Sequence, residues 1–218
     1  MEVLMIIGPD EVIACPRCRE LAKYQSLISG NTFGAICFSD GKQIAPMLPS
    51  PPAVVNCSQC GKCYWLKDAL VVGTVESPTD EIDPNWTQAP MIEEPTAEQY
   101  YQAIGDGLAQ NISEERKLRI LAWWRDNDYD RGGEAEDEIQ RRPPSSLRNK
   151  NLEALIRLAS TDTDDEKLLK AEMYRELGDI ESAKQLLDQV EASELAYVVD
   201  EIRKMCENGE TKVRMLLP

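Results

Sequence analysis

Two rhythms of apolar and polar residues follow one another along the chain. Up to about residue 76 the apolar runs are short and punctuated by Gly, Pro, Asn and Asp, the pattern of strands and turns. Val3 to Ile7 is a strand candidate stopped by Gly8-Pro9-Asp10, and Val12-Ile13-Ala14 leads into CPRC at 15–18. Phe33 to Ser39 and Lys42 to Ala45 flank Asp40-Gly41, the pair favoured by a two-residue type I′ hairpin turn, a register that sets Cys37 opposite Ile44. The run PMLPSPP at 46–52 excludes helix and sheet interior and returns the chain to CSQCGKC at 57–63. Tyr64-Trp65-Leu66 and Ala69 to Val75 are the closing strands.

Residues 77–95 hold four prolines and no sustained period, which marks a linker with Trp86 as its one large anchor. From Thr96 the period becomes helical. Thr96-Ala-Glu-Gln opens a helix running to about Gln110, and Ser113 is the expected N-cap of the next, with Ile120, Leu121 and Trp124 on one face. A glycine-rich, charged break spans 130–146. Leu152, Leu155, Ile156 and Ala159 then form an i, i+3, i+4, i+7 stripe. Thr163-Asp-Asp-Glu166 has the form of a capping box, and Gly178 ends that helix. Asp179 caps a helix with Ala183, Leu186, Leu187 and Val190 inward. Ser193 caps a last one with the stripe Leu195, Val198, Val199, Ile202 and Met205, stopped by Asn208-Gly209. The expected fold class is α+β: an N-terminal β-rich module (1–76), a linker (77–95) and an all-α helical-hairpin module (96–218).

Charge narrows the partners. Against 24 Lys and Arg stand 39 Asp and Glu, a net of −15, in a chain whose 42% apolar content suffices for a core. Residues 1–90 carry 6 basic and 10 acidic groups, and residues 91–218 carry 18 and 29, so the helical part holds −11. Such a field repels phosphate backbones and anionic lipid and favours a protein partner with a basic surface. The opening apolar run is too short for a signal-peptide core or a membrane span, so the expected compartment is the cytoplasm.

Five of the seven cysteines lie in two C-x-x-C clusters, Cys15/Cys18 and Cys57/Cys60/Cys63, and no histidine occurs anywhere. Paired knuckles in a reducing compartment point to a tetrahedral zinc site. Cys15, Cys18, Cys57 and Cys60 are the favoured ligands, because Gly61 after the second pair eases the positive φ of a knuckle; Cys63 in place of Cys57 is the rival set. A thioredoxin-like redox pair would need the first motif between a strand and a long helix, whereas hairpin signals follow it. The 38 residues between Cys18 and Cys57 exceed the spacing of simple ribbons, so the ribbon is elaborated. Four thiolates close the coordination sphere, which makes the expected Zn2+ structural and the protein non-enzymatic.

Lys170 to Leu187 resembles a tetratricopeptide hairpin, with Ala171, Tyr174, Gly178, Ala183 and Leu187 at that family's small, aromatic, glycine, alanine and large-apolar positions. The resemblance covers one repeat, and Lys170 stands where the family prefers leucine. Taken with the knuckles and SGNTFGAICFSDGK at 29–42, the chain resembles bacterial proteins of a zinc-ribbon plus tetratricopeptide-like type. That implies an architecture and no mechanism. Trp123 and Trp124 diverge by about 100° on a helix, so they do not both face one core; both are candidate partner-binding residues, and the alternative is that the second packs against a neighbouring helix or the linker. Asp126, Asp128 and Asp130 miss the calcium-loop spacing, since Gly132 and Glu138 each fall one place late, and read as a solvated loop. Cys37 and Cys206 are expected as small buried hydrophobes, and the tail from Val213 as a segment that docks on its own domain or another chain. The function that follows is a non-catalytic adaptor with an acidic docking surface. An acidic inhibitor or immunity-type protein, and a ribbon that gathers Arg17, Arg19, Lys23, Lys62 and Lys67 on nucleic acid, are the alternatives.

Overall fold

A proline inside an apolar run either ends a strand or forces a bulge, and here it does the second. In the computed structural model, which describes residues 5–76, 83–131 and 143–216, β1 (Ile6–Ala14) runs through Gly8-Pro9-Asp10 as one strand. Its pairing with β2 (Leu21–Ser29) shifts register between Ile7 and Asp10, and the freed Pro9 carbonyl accepts from Ser26 Oγ at 2.7 Å. Expectation had β1 broken at Gly8 and had no β2. The class is α+β, with small β-sheets first and helices after them.

The chain divides into two units: Met1–Ala35 with Ile44–Leu108, and Ile36–Gln43 with Ala109–Pro218. In the first, β1 is the centre of an antiparallel sheet ordered β2-β1-β7, where β7 is Leu70–Val75. A two-stranded sheet pairs β5 (Val54–Asn56) with β6 (Cys63–Trp65). Ile13, Cys15, Val55, Cys57 and Tyr64 form the core joining the two sheets. The expected linker contributes structure of its own. Asp83 caps the short helix α1 (Pro84–Gln88), whose Trp86 lies against Gly73. Residues 90–93 then stitch the sheets together: Lys23 N–H donates to Pro90 O at 2.8 Å, Ile92 N–H to Lys23 O at 2.8 Å, and Asn56 N–H to Glu93 O at 3.0 Å. Thr96 and Gln99 form a full capping box on α2 (Ala97–Gly105), which belongs to this unit rather than to the helices that follow, and its Tyr100 is fully buried.

The second unit contains α3 (Ile112–Asn127), α4 (Ser145–Leu158), α5 (Asp164–Leu177), α6 (Ile180–Leu187) and α7 (Ala196–Glu207). Trp123, Leu152, Leu155 and Met173 make one buried cluster; Ala171, Ala183, Leu187, Val199, Ile202, Met205 and Cys206 make another. The caps follow side-chain chemistry more closely than the expectation did. Asn111, not Ser113, accepts from Glu114 N–H at the start of α3, and a 3-10 turn at Ser193–Leu195 precedes α7. Thr163 Oγ1 accepts from Glu166 N–H, but the Glu166 carboxylate is taken by Arg116 at 2.7 and 2.8 Å, so the return half of that box is not made. Gly178 closes α5 at φ 84°. Arg175 is fully buried, paired with Glu172 at 2.6–2.7 Å, and also donates to the carbonyls of Glu210 and Lys212. It thereby fastens the chain that leads into β8 (Met215–Leu216), which pairs with β3 (Ile36–Phe38), so the tail docks within its own chain.

The hairpin at 36–43 corrects two expectations. Gly41 N–H donates to Phe38 O and Phe38 N–H to Lys42 O, both at 2.9 Å, so the loop is Ser39-Asp40-Gly41 with Gly41 at φ 78°. A type I′ turn needs positive φ at Asp40 as well, and Asp40 instead spends its carboxylate on Lys42 N–H at 3.1 Å. The register slips by one, bringing Cys37 beside Gln43, not Ile44. Cys37 is also exposed, whereas Cys206 is buried as expected. Residues 77–82 of the linker, residues 132–142 of the charged break with Gly132 and Glu138, Val3 and Leu4, and the last two tail residues lie outside the described residues. No helix among the described residues is long and apolar enough to cross a membrane.

Candidate metal centre

Two knuckles of the same construction supply the site. Cys15 directly follows β1, and CPRC turns the chain into β2; Cys57 directly follows β5, and CSQC turns it into β6. In the first, Cys15 N–H donates to Glu20 O at 2.9 Å and Arg19 N–H to Cys15 O at 3.0 Å. In the second, Cys57 N–H donates to Lys62 O at 3.1 Å and Gly61 N–H to Cys57 O at 2.8 Å. The residue after each second cysteine is left-handed, Arg19 at φ 66° and Gly61 at φ 65°. A hairpin end that turns this tightly directs both of its sulfurs to the same side.

The two knuckles converge. The sulfurs of Cys15, Cys18, Cys57 and Cys60 all lie within 4.8 Å of one another. Across the knuckles, Cys15 to Cys60 is 4.0 Å and Cys18 to Cys57 is 3.6 Å. Four sulfurs placed tetrahedrally about 2.3 Å from a zinc are about 3.8 Å apart, so the donor set fits a metal of that size. Cys63 stands apart, its Sγ 3.8 Å from Gln99 O.

Electrostatics explain why the sulfurs call for a cation. In the metal-free protein, burial pushes the Cys57 thiol up to about 12, with Cys18 and Cys60 adding to the rise. Backbone N–H groups of Cys60 and Gln59 donate to its sulfur and pull the other way. Tyr64, buried beside the cluster, is raised by burial and by the four cysteines. Cys63 is raised to about 11 by burial and by Asp106, which makes it a poor thiolate. A bound divalent cation reverses this preference at the four clustered sulfurs by compensating their negative charge, at the cost of releasing their protons.

The tryptophans are placed differently from the expectation. Trp123 is fully enclosed, and its Nε1–H donates to Glu176 at 2.7 Å. An indole with no exposed face offers a partner nothing, so Trp123 is a core residue. Trp124 is half-buried against the same cluster and donates its Nε1–H to the Asp40 carbonyl at 2.9 Å. The fully buried residues of α3 are Leu118, Ala122, Trp123, Asp126 and Asn127, and Ile120 and Trp124 of the expected face are partly buried against the same cluster. Sequence reasoning also missed the buried ionic cluster of the helical unit. Its one visible signal is Glu172-x-x-Arg175-Glu176, charges at helical spacing on an inward stripe.

No family model, curated protein or solved structure matches the chain.

Proposed function

We propose that the protein is a non-catalytic, zinc-binding interaction protein of the cytoplasm. The zinc holds the β unit as a rigid platform, and the acidic helical unit docks a partner with a basic surface. The observation that carries this reading is the set of four sulfurs within 4.8 Å of one another, all supplied by the chain. Four thiolates occupy every position of a tetrahedral zinc and donate enough charge to suppress its Lewis acidity, so such a site serves structure. With a small core of few large residues, metal binding would be folding energy for the β unit. The resemblance to zinc-ribbon plus tetratricopeptide-like proteins supports the two-part architecture on which this reading stands.

The −11 of residues 91–218 supports the choice of a basic partner. Among the apolar side chains on the helical unit, Ile112 is 71% exposed and Tyr197 46%, which suits them as anchors better than either tryptophan. The test is a pull-down on the full chain under chelator-free conditions, with Ile112→Ala and Tyr197→Ala alongside. Recovery of a basic protein that the substitutions weaken supports the adaptor. A single basic enzyme whose activity is blocked would point to an inhibitor instead, and recovery of nucleic acid would contradict the reading.

A further inference from the structure

In a chain of which 29% is charged, the thirteen residues from Ile44 to Asn56 carry no charge at all. Their middle, Pro49-Ser-Pro-Pro52, is neither helix nor strand, and Pro49, Ser50 and Pro51 are exposed. Both ends of this stretch are held within the β unit. Ahead of it, Leu48 N–H donates to Ala45 O at 2.9 Å and Asn31 N–H to Met47 O at 3.0 Å. Behind it, Leu66 N–H donates to Ala53 O at 2.9 Å, just before β5 begins. The first anchor is tight, since a Cβ on Gly30 would come within 2.3 Å of Met47 O.

Proline fixes its own φ and pushes the residue before it into extended backbone. Leu48, Ser50 and Pro51 each precede a proline, so every residue from Leu48 to Pro52 is biased toward polyproline II. In that threefold helix residues three apart share an edge, Leu48 with Pro51 and Pro49 with Pro52. Leu48 is 39% exposed. With Ile7, Tyr24 and Met91 the segment lines a cleft of about 210 Å³, and Ile7 and Met91 are exposed too, so the apolar surface continues beyond the prolines.

Chemistry narrows what can read this surface. Three of the four residues from Pro49 to Pro52 have no N–H, so a partner strand cannot be added along them. No charge is present to meet a phosphate or an ionic surface. What the segment offers is proline rings and carbonyls. Among the described residues, no backbone hydrogen bond uses the carbonyls of Pro49, Ser50 or Pro51. Tryptophan and tyrosine supply both a flat apolar face for the rings and an N–H or O–H for the carbonyls. We propose that Leu48–Pro52 is a preformed polyproline II ligand, docked by a partner domain whose groove is lined by Trp and Tyr. Because both ends are pinned and the backbone is restricted, docking costs little conformational entropy. This uncharged site on the β unit is additional to the acidic surface of the helical unit.

Calorimetric titration of the full chain, as purified, with a set of isolated WW and SH3 domains tests this, because their aromatic grooves read polyproline II. At least one should bind, with an affinity that holds as added salt shortens the Debye length from about 10 Å to about 3 Å. The double variant Pro49→Ala/Pro51→Ala should lose about tenfold or more, since it frees the backbone and removes two rings. Ile112→Ala and Tyr197→Ala, on the helical unit, should leave the affinity unchanged, which separates this site from the acidic docking surface. Four results would each overturn the proposal: no binding by any domain, binding that falls with salt, full affinity in the double variant, or loss in the helical variants. If the double variant does not fold, amide shifts of the wild type decide. Changes centred on Leu48, Ser50 and Ala53 support the site, and changes centred elsewhere refute it.

Discussion

Arg19 and Gly61 hold the same place in two separate knuckles, at φ 66° and 65°, each with its N–H bonded to the carbonyl of the cysteine four residues before it. Glycine adopts this conformation without strain; arginine does so at a cost of about 1 kcal/mol. Nothing lies within 4 Å of a Cβ added at Gly61, so Gly61→Ala should destabilise by backbone strain alone, about 1 kcal/mol. Arg19→Gly should be neutral or stabilising by up to about 1 kcal/mol, since relief of strain offsets the extra chain entropy. Denaturant titration of the metal-loaded protein reads both. A stabilising Gly61→Ala would mean that the knuckles are not equivalent.

Gly73 is required for space, not for conformation. A Cβ there would come within 2.1 Å of the Trp86 ring, whose helix closes over the sheet. Gly73→Ala should cost about 1–3 kcal/mol through overpacking. Combined with Trp86→Ala, the two effects should fail to add, because the second substitution removes what the first collides with. Additive losses in a double-mutant cycle would show that the ring does not sit there.

Trp123 and Trp124 should separate cleanly. Trp123→Ala empties a fully buried site and leaves Glu176 short of a donor, so a loss of about 3–5 kcal/mol is expected in thermal or denaturant unfolding. Trp124→Ala should cost less, because its ring is only half-buried. Neither should abolish partner binding in the folded fraction. Loss of binding by Trp123→Ala at unchanged stability would reverse its assignment to the core.

Charge sets a further expectation. At a net of −15, binding to random duplex DNA should be negligible at physiological salt, since no release of counterions drives it. Association with a basic partner should slow several-fold as added salt shortens the Debye length from about 10 Å to about 3 Å. Submicromolar DNA affinity with a steep salt slope would contradict this, and so would partner association that ignores salt.

Local chemistry was the legible part of this chain. The four-cysteine cluster was readable because C-x-x-C spacing and Gly61 describe a turn that needs no distant residue to specify it. Helix ends at Thr96, Thr163, Gly178 and Asp179 were readable for the same reason. What escaped depends on contacts between distant segments. The strand β2 alternates too weakly to announce itself and is specified by pairing with β1. The hairpin at 36–43 goes with the helices because Asp40 finds Asn127 and Arg131, some ninety positions along by sequence, as partners. Trp123 is fully buried with its N–H on Glu176 and Trp124 half-buried with its N–H on the Asp40 carbonyl, partners that no apolar periodicity could reveal.

Metal content of the purified chain tests the central claim most directly. Elemental analysis should return one zinc per chain, retained in Cys63→Ser and lost in Cys15→Ser and Cys60→Ser. Protons released on reloading should confirm that thiols became thiolates. A chain without zinc, one with iron–sulfur absorbance, or one that loses its metal in Cys63→Ser would contradict the account.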